Sequence, residues 1–263
     1  MIDLHSHFLY GVDDGARNLD MTIRMLIQAE TLGITKMLAT PHVNVHTTAE
    51  IEEQIHSTFE SLCQVIKNQR IYVDLRLAAE VNMLENDLKW LDHSWVLIGD
   101  KTKYILVETP FRDMPKGFSD TLFQIRLKNI TPVLAHPERN LTFQKHPQML
   151  IDWIHQGCLV QADAGSLVGQ FGKKCYKFAD RLLKAGAIHL VASDAHEPKW
   201  RNYHILAEAF QKVHAEYDQN YAQMLFDTNP GLIWEGKKIE PLPLNESELQ
   251  TSFLKRAKDR LNR

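Results

Sequence analysis

Cysteine is scarce in this sequence. Cys63, Cys158 and Cys175 are an odd number, far apart, with no Cys-x-x-Cys pair. That pattern excludes a disulfide framework and a thiolate zinc site, and it sets the expectation of a reducing, cytoplasmic setting. Long apolar runs are missing too. No stretch approaches the roughly 18 apolar residues of a membrane span, and the opening residues lack a basic segment followed by an apolar one, so neither membrane insertion nor export is expected. A surplus of either charge is also absent: the formal net charge is -3 over 263 residues. Such a balance provides no broad attraction to nucleic acid or anionic lipid, and partners must be recognised locally. Finally, no Pro/Gly/Ser-rich stretch interrupts the chain as a linker, which favours one large domain over two small ones.

What is present is an alternation of short apolar strands and longer segments of helical period, the mark of βα units around a parallel sheet. Asn18 is placed to cap a helix bearing Met21, Met25, Leu26 and Leu32, with Gly33 as its stop. Lys36 to Thr40 reads as a strand running into Pro41-His42. Ile51 to Lys67 has helical spacing and Ile71 to Ala79 reads as a strand ending at Glu80. Strand Tyr104–Val107 ends at Glu108, helix Phe118–Lys128 follows, and strand Thr131–Ala135 ends at His136. Helix Pro147–Gln156, strand Cys158–Gln161, helix Cys175–Ala185 and strand Ile188–Ala192, ending at Ser193-Asp194, complete the alternation. About seven βα units predict a single α/β barrel over residues 1–228. Residues 229–263 read as a tail, broken at Pro241-Leu242-Pro243 and ending in a basic amphipathic helix over Phe253–Leu261.

A parallel barrel opens all its C-terminal strand ends on one face, where sites are built. Residues of metal-ligand type stand at those ends: His5 and His7, His42, Glu80, Glu108, His136, and Asp194 with His196. His5-x-His7 and Asp194-x-His196 each put two donors on one side of an extended strand, and closure of a barrel makes the first and last strands neighbours. Singly, each residue has an ordinary structural reading: a satisfied core histidine, a helix cap at Asp194, a surface charge at Glu80. Together they point to a metal site. Arg139 and Arg201 lie in loops leaving the same face. A guanidinium grips phosphate oxygens with two prongs, and the aromatic residues nearby, Tyr10, Phe111, Trp200 and Tyr203, are candidates to stack on a substrate ring.

These residues fall in stretches that resemble the polymerase and histidinol phosphatase (PHP) family, and more closely its branch of manganese-dependent protein-tyrosine phosphatases linked to capsule and exopolysaccharide synthesis. The matching stretches are His5-Ser6-His7 with Val12-Asp13-Asp14-Gly15, Thr40-Pro41-His42, Ala79-Glu80-Val81, Val107-Glu108-Thr109-Pro110, Ala135-His136-Pro137-Glu138-Arg139 and Ser193-Asp194-Ala195-His196. The resemblance implies a distorted (β/α)7 TIM-like barrel of the PHP type and three divalent ions, manganese first, with iron or zinc as alternatives. His5, His7, Glu80 and Asp194 would hold one ion, Glu80, Glu108 and His136 a second, and Asp14, His42 and His196 a third, with Asp13 competing for the place of Asp14. Arg139 and Arg201 would bind phosphate. The implied reaction is hydrolysis of phosphotyrosine by in-line attack of a metal-bound hydroxide, on a tyrosine kinase of polysaccharide assembly.

Two other readings stand beside it: a small-molecule phosphatase of the histidinol-phosphate kind, and a regulatory module that only binds phosphotyrosine. An amidohydrolase also opens with His-x-His on a barrel, but it usually carries a mid-chain carbamylated lysine where this chain has glutamates. No cysteine sits in a glycine-rich turn ahead of an arginine, so nothing resembles a cysteine-based phosphatase. The sequence assigns no oligomeric state.

Overall fold

The computed structural model describes residues 1–83, 88–99 and 102–249. The terminal helix expected over Phe253–Leu261 lies outside the described residues. Nine short strands are described: β1 (Ile2–Asp3), β2 (Lys36–Ala39), β3 (His42–Val43), β4 (Asp74–Leu77), β5 (Glu80–Asn82), β6 (Lys103–Glu108), β7 (Ile130–Ala135), β8 (Leu159–Asp163) and β9 (Leu190–Ala192). All of their pairings are parallel, in the orders β1-β2-β4 and β3-β5-β6-β7-β8-β9.

Two of the nine are continuations rather than new staves. Pro41 has no N–H for a ladder, and the chain kinks between β2 and β3. The neighbouring stave breaks in step between β4 and β5, and the two stay joined by Ala78 N–H to Ala39 O (2.9 Å) and Glu80 N–H to Pro41 O (3.1 Å). Seven parallel staves result. Residues Ser6 and Ala195 bridge the last to the first, with Asp194 N–H donating to His5 O (2.9 Å) and His7 N–H to Ala195 O (2.8 Å). The ring is therefore a closed but irregular (β/α)7 barrel.

The helices begin where capping chemistry allows. In α1 (Leu19–Thr31) the Asn18 side chain accepts from Met21 N–H, and in α2 (Ala49–Gln69) Thr48 accepts from Ile51 N–H. Helices α3 (Phe118–Leu127), α4 (Leu141–Lys145), α5 (Gln148–His155), α6 (Ala164–Val168) and α7 (Lys173–Lys184) follow along the crossovers. The strand expected over Ile71–Ala79 contracts to β4, and that over Ile188–Ala192 to β9. Residues beyond 203, for which the alternation sets no expectation, form α8 (His204–Glu216), α9 (Gln219–Gln223) and α10 (Asn229–Trp234).

Apolar residues fill two layers. One packs the helices onto the outside of the staves. The other, built on Leu38, Tyr104, Leu106, Val133, Leu159 and Leu190, fills the barrel itself. Ile233, Trp234 and Ile239 pack against that inner layer, and Arg76 lies over the Trp234 ring (4.2 Å) while donating to Trp234 O (2.8 Å). Beyond it, Asn245 N–H donates to Ala185 O (2.8 Å) and Leu249 is fully buried. The described residues past 228 therefore pack on the barrel. Along β6 the inward positions read Tyr104, Leu106, Glu108, and along β8 Leu159, Gln161, Asp163. Each stave is apolar inside and polar at its C-terminal end, which concentrates polar chemistry at one mouth.

His189, just before β9, carries a testable consequence of burial. Its Nδ1 accepts from Val160 N–H (3.0 Å). Burial depresses its pKa from 6.5 to about 4, a backbone hydrogen bond to Ala187 opposing the shift. The unfolded chain thus takes a proton that the folded chain refuses, so this contribution is complete above pH 6.5 and is lost as pH falls toward 4. It amounts to something on the order of 3 kcal/mol. His189→Asn keeps an acceptor in place without a titratable proton. Urea unfolding at pH 7 and pH 4.5 should show a shallower acid loss in the variant, and equal losses would contradict the assignment.

Candidate metal centre

His5 and His7 leave β1 side by side, and each ring is oriented from behind. His5 Nδ1 lies 2.8 Å from Gln161 Oε1, an amide whose Nε2 donates to Ala162 O (2.9 Å) and so presents its oxygen to the imidazole. His7 Nδ1 lies 2.7 Å from Asp13 Oδ2. With Nδ1 donating in both, each neutral ring turns a bare Nε2 lone pair forward. These two nitrogens stand 3.1 Å apart. Glu80 Oε2 lies 3.1 Å from His5 Nε2 and 3.3 Å from His7 Nε2, and Asp194 Oδ1 lies 3.4 Å from each. Donors bound to one ion at about 2.0–2.2 Å in a tetrahedron are separated by roughly 3.3–3.5 Å. The four atoms have that spacing.

The Glu80 carboxylate is the hub. Its Oε2 accepts no hydrogen bond although it is buried, and it also faces His42 Nδ1 at 3.1 Å, itself unpartnered. Its Oε1 lies 3.0 Å from His136 Nε2. Glu108, the last residue of β6, approaches His42 at 3.9 Å and accepts from Asn82 Nδ2 (2.6 Å). A further group forms on the outer side, where Asp14 Oδ1 lies 3.4 Å from His42 Nε2 and 3.3 Å from His196 Nε2. Donor atoms converge within coordinating reach in four overlapping sets: His5, His7 and Glu80; His5, His136 and Asp194; His42, Glu80 and Glu108; and His7, Asp14, His42 and His196. Mixed nitrogen and oxygen donors of this kind suit manganese, iron or zinc better than magnesium or calcium.

The choice between Asp13 and Asp14 is geometric. Asp13 is turned inward, bonded to His7 and accepting from Gly15 N–H (2.9 Å), while Asp14 is turned toward His42 and His196. Gly15 permits this turn, since a Cβ there would meet His7 O at 2.0 Å. Two other site residues carry backbone strain: His136 has φ 35° and Asp194 φ 49°, in the left-handed region that costs most side chains about 1–3 kcal/mol.

Burial alone would raise the pKa of Glu80, but the imidazoles of His5, His136 and His42 hold it well below the usual carboxylate range. Asp194 is held low in the same way by His5, His7 and Arg201. The hydrogen-bonding imidazoles of His196 and His42 lower Asp14. In return, against the effect of burial, Asp14 and Glu80 raise His42 to about 10 and the carboxylates around His7 raise it strongly. Glu108 goes the other way, raised by burial and by the Glu80 charge. His136 is lowered to about 4 by burial. Four imidazoles crowd together here, with the His7 ring 4.1 Å from His196, 4.7 Å from His42 and 5.2 Å from His5. Neutral, metal-ligated rings tolerate that crowding better than protonated ones.

Both arginines reach the same atom. Asp194 turns Oδ1 to the histidines and Oδ2 to Arg139 Nη1 (2.9 Å) and Arg201 Nη2. Arg139 is further held by Asp163 Oδ2 at 3.3 Å, and its guanidinium lies between the rings of Phe111 (4.6 Å) and Phe171 (4.3 Å). Asp14, His42, Glu80, Glu108, His136, Asp194, His196, Phe111 and the two arginines line one cavity of about 110 Å³. Cys158 and Cys175 are buried elsewhere, and burial pushes both thiols up to about 12, which removes them as nucleophiles.

Gln161 and Asp163 have no place in the sequence reading. Both face inward on β8, and extending the strand-end rule two residues past Gln161 would have found Asp163. Among the aromatic residues proposed for ring stacking, Tyr203 is completely buried with its hydroxyl on Ser6, and Trp200 does not line the cavity.

Comparison with known proteins follows from this geometry. The family model for capsular polysaccharide synthesis, CpsB/CapC, matches residues 1–235. The chain is 32% identical over 252 residues to the tyrosine-protein phosphatase YwqE of Bacillus subtilis, covering 95% of this chain and 98% of that protein. It is 26% identical over 221 residues to the putative tyrosine-protein phosphatase CapC of Staphylococcus aureus, covering 83% and 86%. A crystal structure from work on YwqE and Streptococcus pneumoniae CpsB, described as metal-dependent tyrosine phosphatases, superposes with a TM-score of 0.84 at 33% identity over 93% of this chain and 98% of the other. A phosphotriesterase homology protein from Escherichia coli shares only the barrel fold, at a TM-score of 0.55 and 9% identity, over 89% of this chain and 98% of that one. On the match over residues 1–235 and the identity along nearly its whole length, the chain belongs to the CpsB/CapC family of capsular polysaccharide synthesis.

Proposed function

We propose that this chain is a metal-dependent protein-tyrosine phosphatase. The observation that carries the reading is the division of Asp194, one carboxylate oxygen among the histidine nitrogens and the other against two arginines. That arrangement sets a cation site and an anion site side by side, as a phosphate ester requires. His5, His7, Glu80 and Asp194 would hold one ion; Glu80, Glu108 and His136 a second; Asp14, His42 and His196 a third. Manganese is the first choice. Ions bound there supply Lewis acidity and a hydroxide nucleophile at neutral pH.

The chain's own residues do the rest. Arg139 and Arg201 grip the equatorial oxygens of the phosphoryl group, where negative charge is spread in the transition state. Asp163, Phe111 and Phe171 fix the plane of the Arg139 fork, so little reorganisation accompanies binding. Gln161 and Asp13 keep the His5 and His7 lone pairs directed forward. A tyrosinate leaves readily enough that no buried acid has to be aimed at the ester oxygen. The substrate we infer is a phosphotyrosine segment of a tyrosine kinase that serves polysaccharide assembly in the cytoplasm. Support comes from the family and from the names of the curated relatives. Residues 1–228 form the catalytic body in this reading, with the remainder as a packed tail.

Hydrolysis of a tyrosine phosphopeptide should require added manganese, cease with chelator and survive thiol alkylation. Faster turnover of histidinol phosphate would favour a small-molecule phosphatase, and binding without turnover a regulatory module. Arg139→Lys should lower kcat/KM by roughly 100-fold while metal content is unchanged, since an ammonium cannot copy the fork. A loss under tenfold would remove Arg139 from the transition state. Metal uptake should also release protons, because the carboxylates raise His42 and His7 in the free protein. Affinity is therefore expected to rise from pH 6 to pH 8. Calorimetry in buffers of different ionisation enthalpy measures the protons directly, and a pH-independent affinity would contradict this.

A further inference from the structure

Phe111 is an apolar residue left 46% exposed at the mouth of the cavity. An exposed phenylalanine is unremarkable by itself, but this one is held in place. Three successive carbonyls of its loop are each bonded to the start of α4: Pro110 O by Asn140 Nδ2, Phe111 O by Leu141 N–H (2.9 Å), and Arg112 O by Thr142 Oγ1 (2.6 Å). Its ring lies over the Arg139 guanidinium at 4.6 Å and is nearly parallel to the His136 ring, at 5.8 Å between centroids and 21° between planes. It therefore touches both the anion-binding side and the metal-ligand side of the cavity. Among the cavity-lining residues it is the one carbocyclic aromatic.

We propose that Phe111 is a specificity-determining residue that makes this site select aryl over alkyl phosphate esters. The proposal rests on the phosphatase reading. A phosphoryl group seated between the donors and Arg139 must project its ester oxygen toward the cavity mouth. In an aryl ester the ring begins one bond beyond that oxygen, within reach of the Phe111 ring. Offset or edge-on contact between two rings favours the aryl group over an alkyl chain of similar size. Tyr203 is unavailable for the same task because it is wholly buried.

Phe111 also stacks on Arg139, so the test must separate contact with the substrate ring from support of the arginine. Phenylphosphonate and methylphosphonate carry the same anion and differ in the ring. Binding of each to the manganese-loaded full chain is measured by calorimetry for wild type, Phe111→Leu and Phe111→Tyr. Phe111→Leu is expected to weaken phenylphosphonate by about three- to tenfold and to leave methylphosphonate unchanged, while Phe111→Tyr retains the preference. Equal weakening of both ligands would mean that Phe111 acts only by holding Arg139, and no change in either would mean that it does not meet the ligand; both results overturn the proposal. Turnover of the tyrosine phosphopeptide tests the phosphatase reading separately. A protein that hydrolyses the peptide but shows no ring preference loses the Phe111 assignment alone.

Discussion

The seam between the last stave and the first is the contact on which this molecule turns. A closed parallel ring needs β9 to lie beside β1, and here it does so through Asp194 N–H on His5 O, His7 N–H on Ala195 O, and Ser193, whose N–H and hydroxyl both bond to Asp3. Asp194 sits in this seam with φ 49°. Its neighbours hold the kink: Ser193 Oγ also accepts from Ala195 N–H (3.0 Å). The strained backbone directs the carboxylate across the seam, where it meets both histidines of the first stave and both arginines of the loops. Without closure the His-x-His and Asp-x-His pairs would be two unrelated strand ends.

Concentrating this many ionisable groups in a buried mouth carries an electrostatic cost that only pairing can offset. Carboxylates at Glu80 and Asp194 are held ionised, and the imidazoles and guanidiniums around them supply the compensating charge. Protons on His7 and His42 can fulfil that role, and so can divalent ions. The second option leaves the rings neutral, which suits their close stacking, and leaves the arginines free to turn from Asp194 to an anion. Asp163 adds a further carboxylate beside Arg139, raised well above its usual pKa by burial and by the Asp194 charge. A centre assembled this way is expected to treat cation binding and anion binding as linked events.

Much of this was legible from residue types and spacing. Strand-end donors can be read because a parallel barrel converts sequence order into a common face, whatever the helices between them do. Asn18 and Gly33 could be read as helix signals because capping is local chemistry. The extra breaks that split two staves into β2/β3 and β4/β5 were less visible, since Pro41 signals one of them but nothing local signals its partner between Leu77 and Glu80. Asp13 and Asp14 are adjacent and chemically identical, so no rule of spacing separates them.

By itself the sequence determined the fold class, the donor set at the mouth and the family resemblance, because alternation, capping and strand-end position are properties of short segments. Tertiary structure alone decided which aspartate faces the cavity, which groups stand behind each histidine, and which aromatic ring lines the opening. It also decided that Asn229–Trp234 packs beneath the barrel instead of hanging from it as a tail. Each of those outcomes depends on contacts between residues far apart in the chain, such as Gln161 with His5 or Phe111 with Arg139. Their partners are chosen by the packing of the closed barrel, which no local pattern encodes.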